Sequence, residues 1–532
     1  MSELAPFPRF FIDILNDGRK TSAPGAFMAE GRRNNDLTRL AGSIYRMTGA
    51  DDRELFRMLQ SISSEQASPL PENEVASIAR SIASYDRSPV DKVDELHLSK
   101  VLAGELQGEF CFGLGRGWMW YNGRHWVADV ENKRVQERVK VFILSLFEAI
   151  TSRNSASDGD LLKAIKACLK AAKVNNLIQM ASSDPNLILE PERFDAKPDI
   201  LNVLNGTIEF GSGEIVFRDH QPSDYLTMCA NVEYDPKAEA PLFKKLLSFA
   251  LDEDTGQFLM RYFGYSATGH ANQRVYAIFY GKGANGKSTI VNVVQDILGG
   301  YAINVETSTF LQARAGQIRT DLAGLKGARL AVSSEFGSGQ VMDAPLLKQL
   351  VGNDKITARF LFKTEIEYKP TVVPLFVTNA LPVINGGDEA LAARIIVVPF
   401  QKIVPKEDRD PRLPEKLWEE RSGILNLLLA GMRDYLSDGK LRRPQSVIDA
   451  AEAYVKESDL MGQFIEDRCR LVAEEETGAR DLYLEYRFWC IDRGLQPMSM
   501  PVFKADFANK TGALQKRSSK GQFWGGVGIK KS

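Results

Sequence analysis

Paired cysteines and clustered histidines are both missing from this 532-residue chain. The five cysteines (Cys111, Cys168, Cys229, Cys469, Cys490) are odd in number and contain no Cys-x-x-Cys pair. The four histidines (His97, His125, His220, His270) are equally dispersed. That spacing argues against a disulfide framework and a structural zinc site, and fits free thiols in a reducing compartment. Charge of one sign is not in excess either: 67 Lys and Arg against 69 Asp and Glu leave −2. Any contact with an acidic polymer must therefore come from local patches. No segment reaches the ~20 apolar residues that cross a bilayer, and residues 1–11 lack a basic stretch followed by an apolar run. A cytoplasmic protein with no membrane partner is expected. No repeat at solenoid periods is visible.

The apolar content, 44%, is ordinary for globular protein. The length predicts about three or four domains. Residues 1–90 read as helical. Asn35-Asp36-Leu37 opens one helix with Leu37, Leu40, Ala41, Ile44 and Tyr45 at helical spacing, and another starts near Pro71 and runs through Val75, Ile78, Ala79 and Ile82. Residues 91–240 are mixed. Alternating aromatics around Asn122-Gly123 predict a hairpin whose tryptophans go to its core rather than to a base-stacking platform. Helices over 139–150 and 161–172 and a strand pair around 207–216 follow. Residues 241–445 alternate helical and strand patterns, the signature of a parallel α/β sheet. After Pro444, helical sequence leads into a compact tail, about 460–532, with two helices, a short helix at 500–509 and a Gly-rich basic end.

The strongest local signal lies in the α/β region. Val275-Tyr276-Ala277-Ile278-Phe279-Tyr280 reads as a buried strand. Gly281-Lys282-Gly283-Ala284-Asn285-Gly286-Lys287-Ser288 follows and spells GxxxxGK[ST]. Thr289 continues into a helix with Ile290, Val293, Val294, Ile297 and Leu298, ended by Gly299-Gly300. Glycines let backbone N–H groups turn inward around phosphates, and the helix N-terminus favours anions. Lys287 would reach the β- and γ-phosphates of ATP, and Ser288 would coordinate Mg²⁺. The stretch also matches the dinucleotide pattern GxGxxG, but a lysine after its last glycine has no use there.

Three further positions complete the candidate site. Ala328 to Ser334 forms a short strand ending at Glu335, the candidate general base and second metal residue, with Ser334 where many such enzymes carry a metal-binding Asp. Val372 to Thr378 forms another strand, ending at Asn379, placed to sense a γ-phosphate and orient water. Arg394 stands alone before a strand at Ile395. It is either a salt-bridge partner or an arginine finger reaching a neighbour's nucleotide, and the residues leave both open.

In this order the stretches resemble the superfamily 3 helicases, in particular the helicase half of phage, plasmid and poxvirus primase–helicases. Leu347 through Arg359 resembles the family's block between the second acidic strand and the Asn strand, with Val351 and Asn353 where the family usually has Thr and Gly. Ala393 precedes Arg394 where the family usually has a second arginine. The resemblance implies an α/β P-loop AAA+ core, a hexameric ring with shared ATP sites, and Arg394 acting in trans. It implies a DNA-facing hairpin over 359–370, in which Lys363 is either a pore contact or an ordinary surface lysine.

Residues 31–42 and 78–82 resemble the small helical domain that follows the primase catalytic domain in phage primases, and 91–240 resembles the segment preceding the helicase core. No primase catalytic motif is read, since Asp13 is a lone acid; either the primase half has been lost, or a separate primase or polymerase is the partner. The tail resembles a winged helix, with 500–510 as recognition helix and 515–524 as wing. From Lys510 onward there are six Lys or Arg and no Asp or Glu. Lys504, Lys516, Arg517 and Lys520 are the candidate DNA contacts, against the plainer reading of a solvated basic terminus.

The expected organisation is thus a helical primase-C-terminal-like domain (1–90), a mixed α+β domain (91–240), the AAA+ core (241–445) and a winged-helix domain (455–532). The expected activity is ATP-driven unwinding of single-stranded or forked DNA in phage or plasmid replication, in the bacterial cytoplasm. The alternative is a nucleotide-gated DNA-loading or origin-binding ATPase that does not unwind processively. A P-loop kinase would want an arginine-rich lid, and no such cluster follows Lys287.

Overall fold

The computed structural model describes residues 37–38, 41–42, 45, 51–64, 70–83, 95–151, 159–211, 213–311, 319–336, 340–352, 354–359, 365–382, 393–495, 497–518 and 521–530. They fall into two units, 1–196 with 221–227, and 197–220 with 228–532.

In the first unit, α1 (Asp52–Ser64) and α2 (Glu72–Ala83) pair over Leu55, Leu59, Val75, Ile78, Ala79 and Ile82, with Leu37, Ala41 and Tyr45 from the preceding helical residues in the same core. α1 lies between the two helices that the apolar spacing predicts. Next come α3 (Glu95–Leu106), β1 (Phe110–Gly113), β2 (Gly117–Tyr121), β3 (Trp126–Ala128), α4 (Lys133–Thr151), α5 (Gly159–Ala167), α6 (Ala171–Ala181) and β4 (Ile188–Leu189). The sheet order is β3-β2-β1-β4. The expected hairpin joins β2 to β3. Asn122 Oδ1 accepts the N–H groups of Arg124 and His125, each at 2.9 Å, and Gly123 supplies a φ of 93°. Trp118 and Trp126 are buried in cores, as the alternation predicted. The helix expected over 161–172 is instead broken, because Lys170 turns extended (φ −66°, ψ 136°). The break lets Ile165 and Cys168 on one side, and Val174, Leu177 and Ile178 on the other, enter one core, a tertiary gain that local propensity does not register.

The second unit begins with β5 (Ile200–Val203), β6 (Gly206–Glu209) and β7 (Val216–Arg218), an antiparallel sheet. Leu201, Val203, Ile208 and Phe210 share a core with Leu247, Phe263 and Ile290. The expected boundary at 240 therefore does not mark a change of core. After α7 (Pro241–Ala250) and α8 (Glu253–Ala267) the chain builds β8 (Tyr276–Tyr280), α9 (Lys287–Leu298), β9 (Ala302–Asn304), β10 (Leu330–Ser334), α10 (Ala344–Val351), β11 (Ile356–Arg359), β12 (Glu365–Tyr368), β13 (Val373–Thr378) and β14 (Ile395–Pro399). Five of these strands form one sheet in the order β14-β8-β13-β10-β9, and every pairing in it is parallel.

Both faces of that sheet are buried, which is why its strands read as continuous apolar runs. Ala277 and Phe279 face one core and Tyr276 and Ile278 the other, with β14 alternating in step. β11 and β12 pair antiparallel where the hairpin was expected; Lys363 lies outside the described residues. On the first face, α8 crosses α12 (Arg421–Asp438), which follows α11 (Leu413–Glu419). A Cβ on Gly264 would overlap the backbone of Gly431 and Met432, so the two helices meet at glycine. Buried Arg261 of α8 is held there by Asp434, Asp438 and the carbonyl of Lys440.

The chain ends with α13 (Gln445–Ser458), α14 (Leu460–Arg468), β15 (Cys469–Gly478), α15 (Ala479–Asp492), α16 (Met500–Thr511), β16 (Gln515–Ser518) and β17 (Gly521–Ile529). The small sheet has the order β15-β17-β16. Phe464, Leu482, Tyr486, Trp489, Phe503, Phe507 and Trp524 form its core. The expected helix at 500–509 and the basic hairpin after it are present, but a strand, β15, separates the two helices that precede them. Apart from buried Cys469 its residues are exposed or half-buried, so it carries no apolar alternation to read.

Candidate functional site

The segment between β8 and α9 is forced into a tight turn. Gly283, Ala284 and Gly286 all have positive φ (26°, 54° and 83°). A Cβ on Gly281 would overlap the Phe400 carbonyl and the Asn285 amide, so only glycine fits. The loop is pinned from β14 and beyond: buried Asn285 donates to the Phe400 carbonyl at 2.9 Å, and the Val404 N–H donates to the Ala284 carbonyl at 2.7 Å. The Asn285 side chain is thus a loop anchor rather than a free ligand. Lys282, Gly283, Ala284 and Ser288 are exposed and Thr289 is half-buried. Gly286 takes the left-handed cap of α9. The first-turn N–H groups of that helix have no intrahelical partner and present partial positive charge to the loop.

Lys287 leaves this turn and is 4% exposed. Its Nζ donates to the Gly281 carbonyl at 2.9 Å and to Asn379 Oδ1 at 2.6 Å. Burial holds its pKa below the ordinary lysine value. Both acceptors are neutral, so the ammonium is kept in place without being neutralised. Asn379 reaches it because β13 lies beside β8, with Thr378 opposite Tyr280.

Glu335 follows β10, on the other side of β13. Ser334 pairs with Val377, and the Glu335 N–H donates to the Val377 carbonyl at 3.1 Å. Gly281, Asn379 and Glu335 therefore leave three adjacent strands at one level, so Glu335 and Gly281 are two strand spacings, roughly 10 Å, apart. Glu335 is exposed and has φ 68°, a conformation that costs a non-glycine residue and recurs where function holds it. Thr307 supports the tip by donating to the Ser334 carbonyl at 2.9 Å. Thr307 was not singled out in the sequence, since it lies outside every strand-end pattern.

Arg394 is at the opposite end of the sheet. Its carbonyl accepts the Tyr276 N–H at 3.0 Å, at the start of β8. The length of β8, roughly 16 Å, separates it from its own 281–288 loop, beyond the reach of an arginine side chain. Its guanidinium is half-buried, donates to the Lys348 carbonyl at 3.3 Å, and lines a cavity of about 430 Å³ with Arg274, Lys348, Gln349 and Asp354. The salt-bridge reading of Arg394 gains no partner among the described residues.

Of the candidate DNA contacts, Lys504 on α16 donates to Gln522 Oε1 on β17 at 2.7 Å, tying helix to hairpin. Lys516 is exposed, 3.9 Å from Glu476, and Arg517 is exposed. Lys520 lies outside the described residues. No described helix is long and apolar enough to cross a membrane.

Fold and site together define a mixed α/β architecture with several helical and β-sheet subdomains, consistent with a multidomain ATPase-like fold. Three family models match in series: Primase C terminal 1 over 24–88, D5 N terminal like over 99–252, and a family of unknown function, DUF5906, over 279–394. A protein described as "Putative helicase" from Acanthamoeba polyphaga mimivirus is 26% identical over 387 residues, 68% of this chain and 38% of that protein. Another of the same description, from Frog virus 3, is 31% identical over 273 residues, 47% of this chain and 28% of that protein. The chain thus spans well under half the length of these relatives. The solved C terminal region of NrS-1 is 13% identical, covers 82% of this chain and 100% of its own, and has a TM-score of 0.43. The chain is thus similar, segment by segment, to primase C terminal and D5 N terminal models and to viral proteins described as putative helicases.

Proposed function

We propose that the chain is an ATP-driven DNA helicase of superfamily 3, working as a hexameric AAA+ ring in the replication of a phage or plasmid. One observation carries the reading: the buried Lys287 meets the exposed Asn379 at 2.6 Å above adjacent parallel strands, and Glu335 leaves the next strand at the same level. The strand order β14-β8-β13-β10-β9 supports an AAA+ core, because it sets the lysine strand between the Arg394 and Asn379 strands.

In this reading the 281–289 backbone and the α9 N-terminus hold the phosphates of ATP, and Lys287 turns from the Gly281 carbonyl to the β- and γ-phosphates. The residues fit a triphosphate, since the lysine's acceptors are neutral and the turn has no room for a Cβ at Gly281. Ser288 and Glu335 would hold Mg²⁺, which neutralises phosphate charge when bound. Glu335 takes a proton from the water that attacks the γ-phosphorus, the bond to the β-phosphate oxygen breaks, and ADP leaves. Asn379 orients that water while it holds Lys287. Arg394, on the opposite rim, completes the site of the neighbouring subunit. The C-terminal unit serves as a winged helix: α16 is the recognition helix, β16–β17 the wing, and Lys516, Arg517 and Lys520 its phosphate contacts. Lys363 contacts DNA in the pore. A separate primase or polymerase would act on the same DNA.

The test compares ATP hydrolysis with forked-duplex unwinding for the wild type and for Lys287→Ala, Glu335→Gln and Arg394→Ala. The wild type is expected to do both, and each variant to lose both. Hydrolysis stimulated by DNA without strand separation would instead support a DNA-loading ATPase.

A further inference from the structure

β14 is an outer strand of the parallel sheet, with β8 on one side only. Carbonyls alternate along an extended strand. The Arg394 carbonyl faces β8 and accepts the Tyr276 N–H. Those of Ala393 and Ile395 therefore face the free edge, where none of the described strands supplies a donor. Arg443 supplies both: Nη1 donates to the Ile395 carbonyl at 3.0 Å and Nη2 to the Ala393 carbonyl at 2.8 Å. One planar guanidinium thus bridges the carbonyls of the two residues that flank Arg394, a geometry that suits arginine's rigid fork and that lysine's single nitrogen does not reproduce.

The Arg394 side chain has little else to aim it. Its hydrogen bond to the Lys348 carbonyl is long, at 3.3 Å, and it borders an open cavity. Its direction is set largely by the backbone from which it leaves. Arg443 precedes α13, which packs on the sheet through Ala451 and Tyr454, and the Tyr454 hydroxyl donates to the Pro382 carbonyl at 2.6 Å. α13 runs directly into Asp459, whose side chain caps α14 at the start of the C-terminal unit. The backbone carrying Arg394 is therefore gripped by the segment that leads to that unit.

We propose that Arg443 is a positioning residue for Arg394, fixing the backbone on both sides of it so that its guanidinium is presented to the neighbouring subunit's nucleotide. The proposal rests on the reading of Arg394 as the residue that completes that site. It also gives α13 a route by which a displacement of the C-terminal unit alters the aim of Arg394.

The test uses the full chain with Arg443→Gln, Arg443→Lys, Arg394→Ala and Arg394→Lys, read by kcat and KM for ATP and by melting temperature. Arg443→Gln is expected to lower kcat by about tenfold or more, the scale on which small misplacements of catalytic groups act, with KM and melting temperature held. Arg443→Lys keeps one of the two bonds and falls between. In the Arg394→Lys background, Arg443→Gln is expected to add less than about a twofold loss, because the two residues act as one unit. An equal loss in both backgrounds, or a raised KM with a lowered melting temperature, would make Arg443 merely structural and overturn the proposal. Full kcat in Arg443→Gln beside lost activity in Arg394→Ala would overturn it alone. Full activity in Arg394→Ala would remove the reading beneath it.

Discussion

Lys287 combines burial with two neutral oxygen partners, and its charge is satisfied by neither. Desolvation lowers its pKa from the ordinary 10.5. The folded protein therefore binds fewer protons than the unfolded chain between the lowered value and 10.5, and this residue makes stability rise with pH through that window. A bound polyphosphate favours the ammonium and draws the pKa back up. Nucleotide binding at alkaline pH is thus expected to take up protons, seen as a dependence of the binding enthalpy on the ionisation enthalpy of the buffer. Lys287→Ala should lose both binding and the uptake, and a buffer-independent enthalpy would contradict this account of the lysine. The glycines, Lys287 and Ser288 were legible because their chemistry is contiguous in the chain. That Asn379 holds Lys287 was not, since it requires β13 to lie beside β8. Arg443 was invisible for the same reason: its acceptors are two backbone carbonyls far away in sequence.

Elements were legible where burial leaves a period. β8, β10, β13 and β14 are buried on both faces and read as apolar runs, and Asn122-Gly123 marked its hairpin through turn chemistry. β15 and the break at Lys170 were not legible, the first because its residues are largely solvent-facing, the second because nothing local forces it. The crossing of α8 and α12 belongs to the same class, since the glycines at its contact look like weak helix positions in the sequence. Gly431→Ala would drive a methyl into the backbone of Met260 and Arg261. Overpacking of this kind costs about 1–3 kcal/mol. Denaturant unfolding is the measurement, with a lowered midpoint expected; an unchanged midpoint would mean the helices part freely.

Across the whole molecule, the sequence marked the α/β core and the basic tail but not the distant pieces of chain that share that core. Residues 197–220 and 228–240 complete a core that also holds the helices of the parallel sheet, a partnership across long sequence distances that composition does not reveal. The near-neutral total charge conceals the polarity that matters: from Lys510 to the end every charged side chain is basic. The two halves of the candidate site lie at opposite ends of one sheet, with Lys287 at one rim and Arg394 at the other, so a single chain cannot bring them together. The central claim is that neighbouring copies do. Its most direct test is to mix Lys287→Ala chains with Arg394→Ala chains, each inactive alone, and to measure ATP hydrolysis. The account predicts recovered hydrolysis, because an intact lysine site on one chain then meets an intact Arg394 on another. Two inactive variants that remain inactive at every mixing ratio would contradict it.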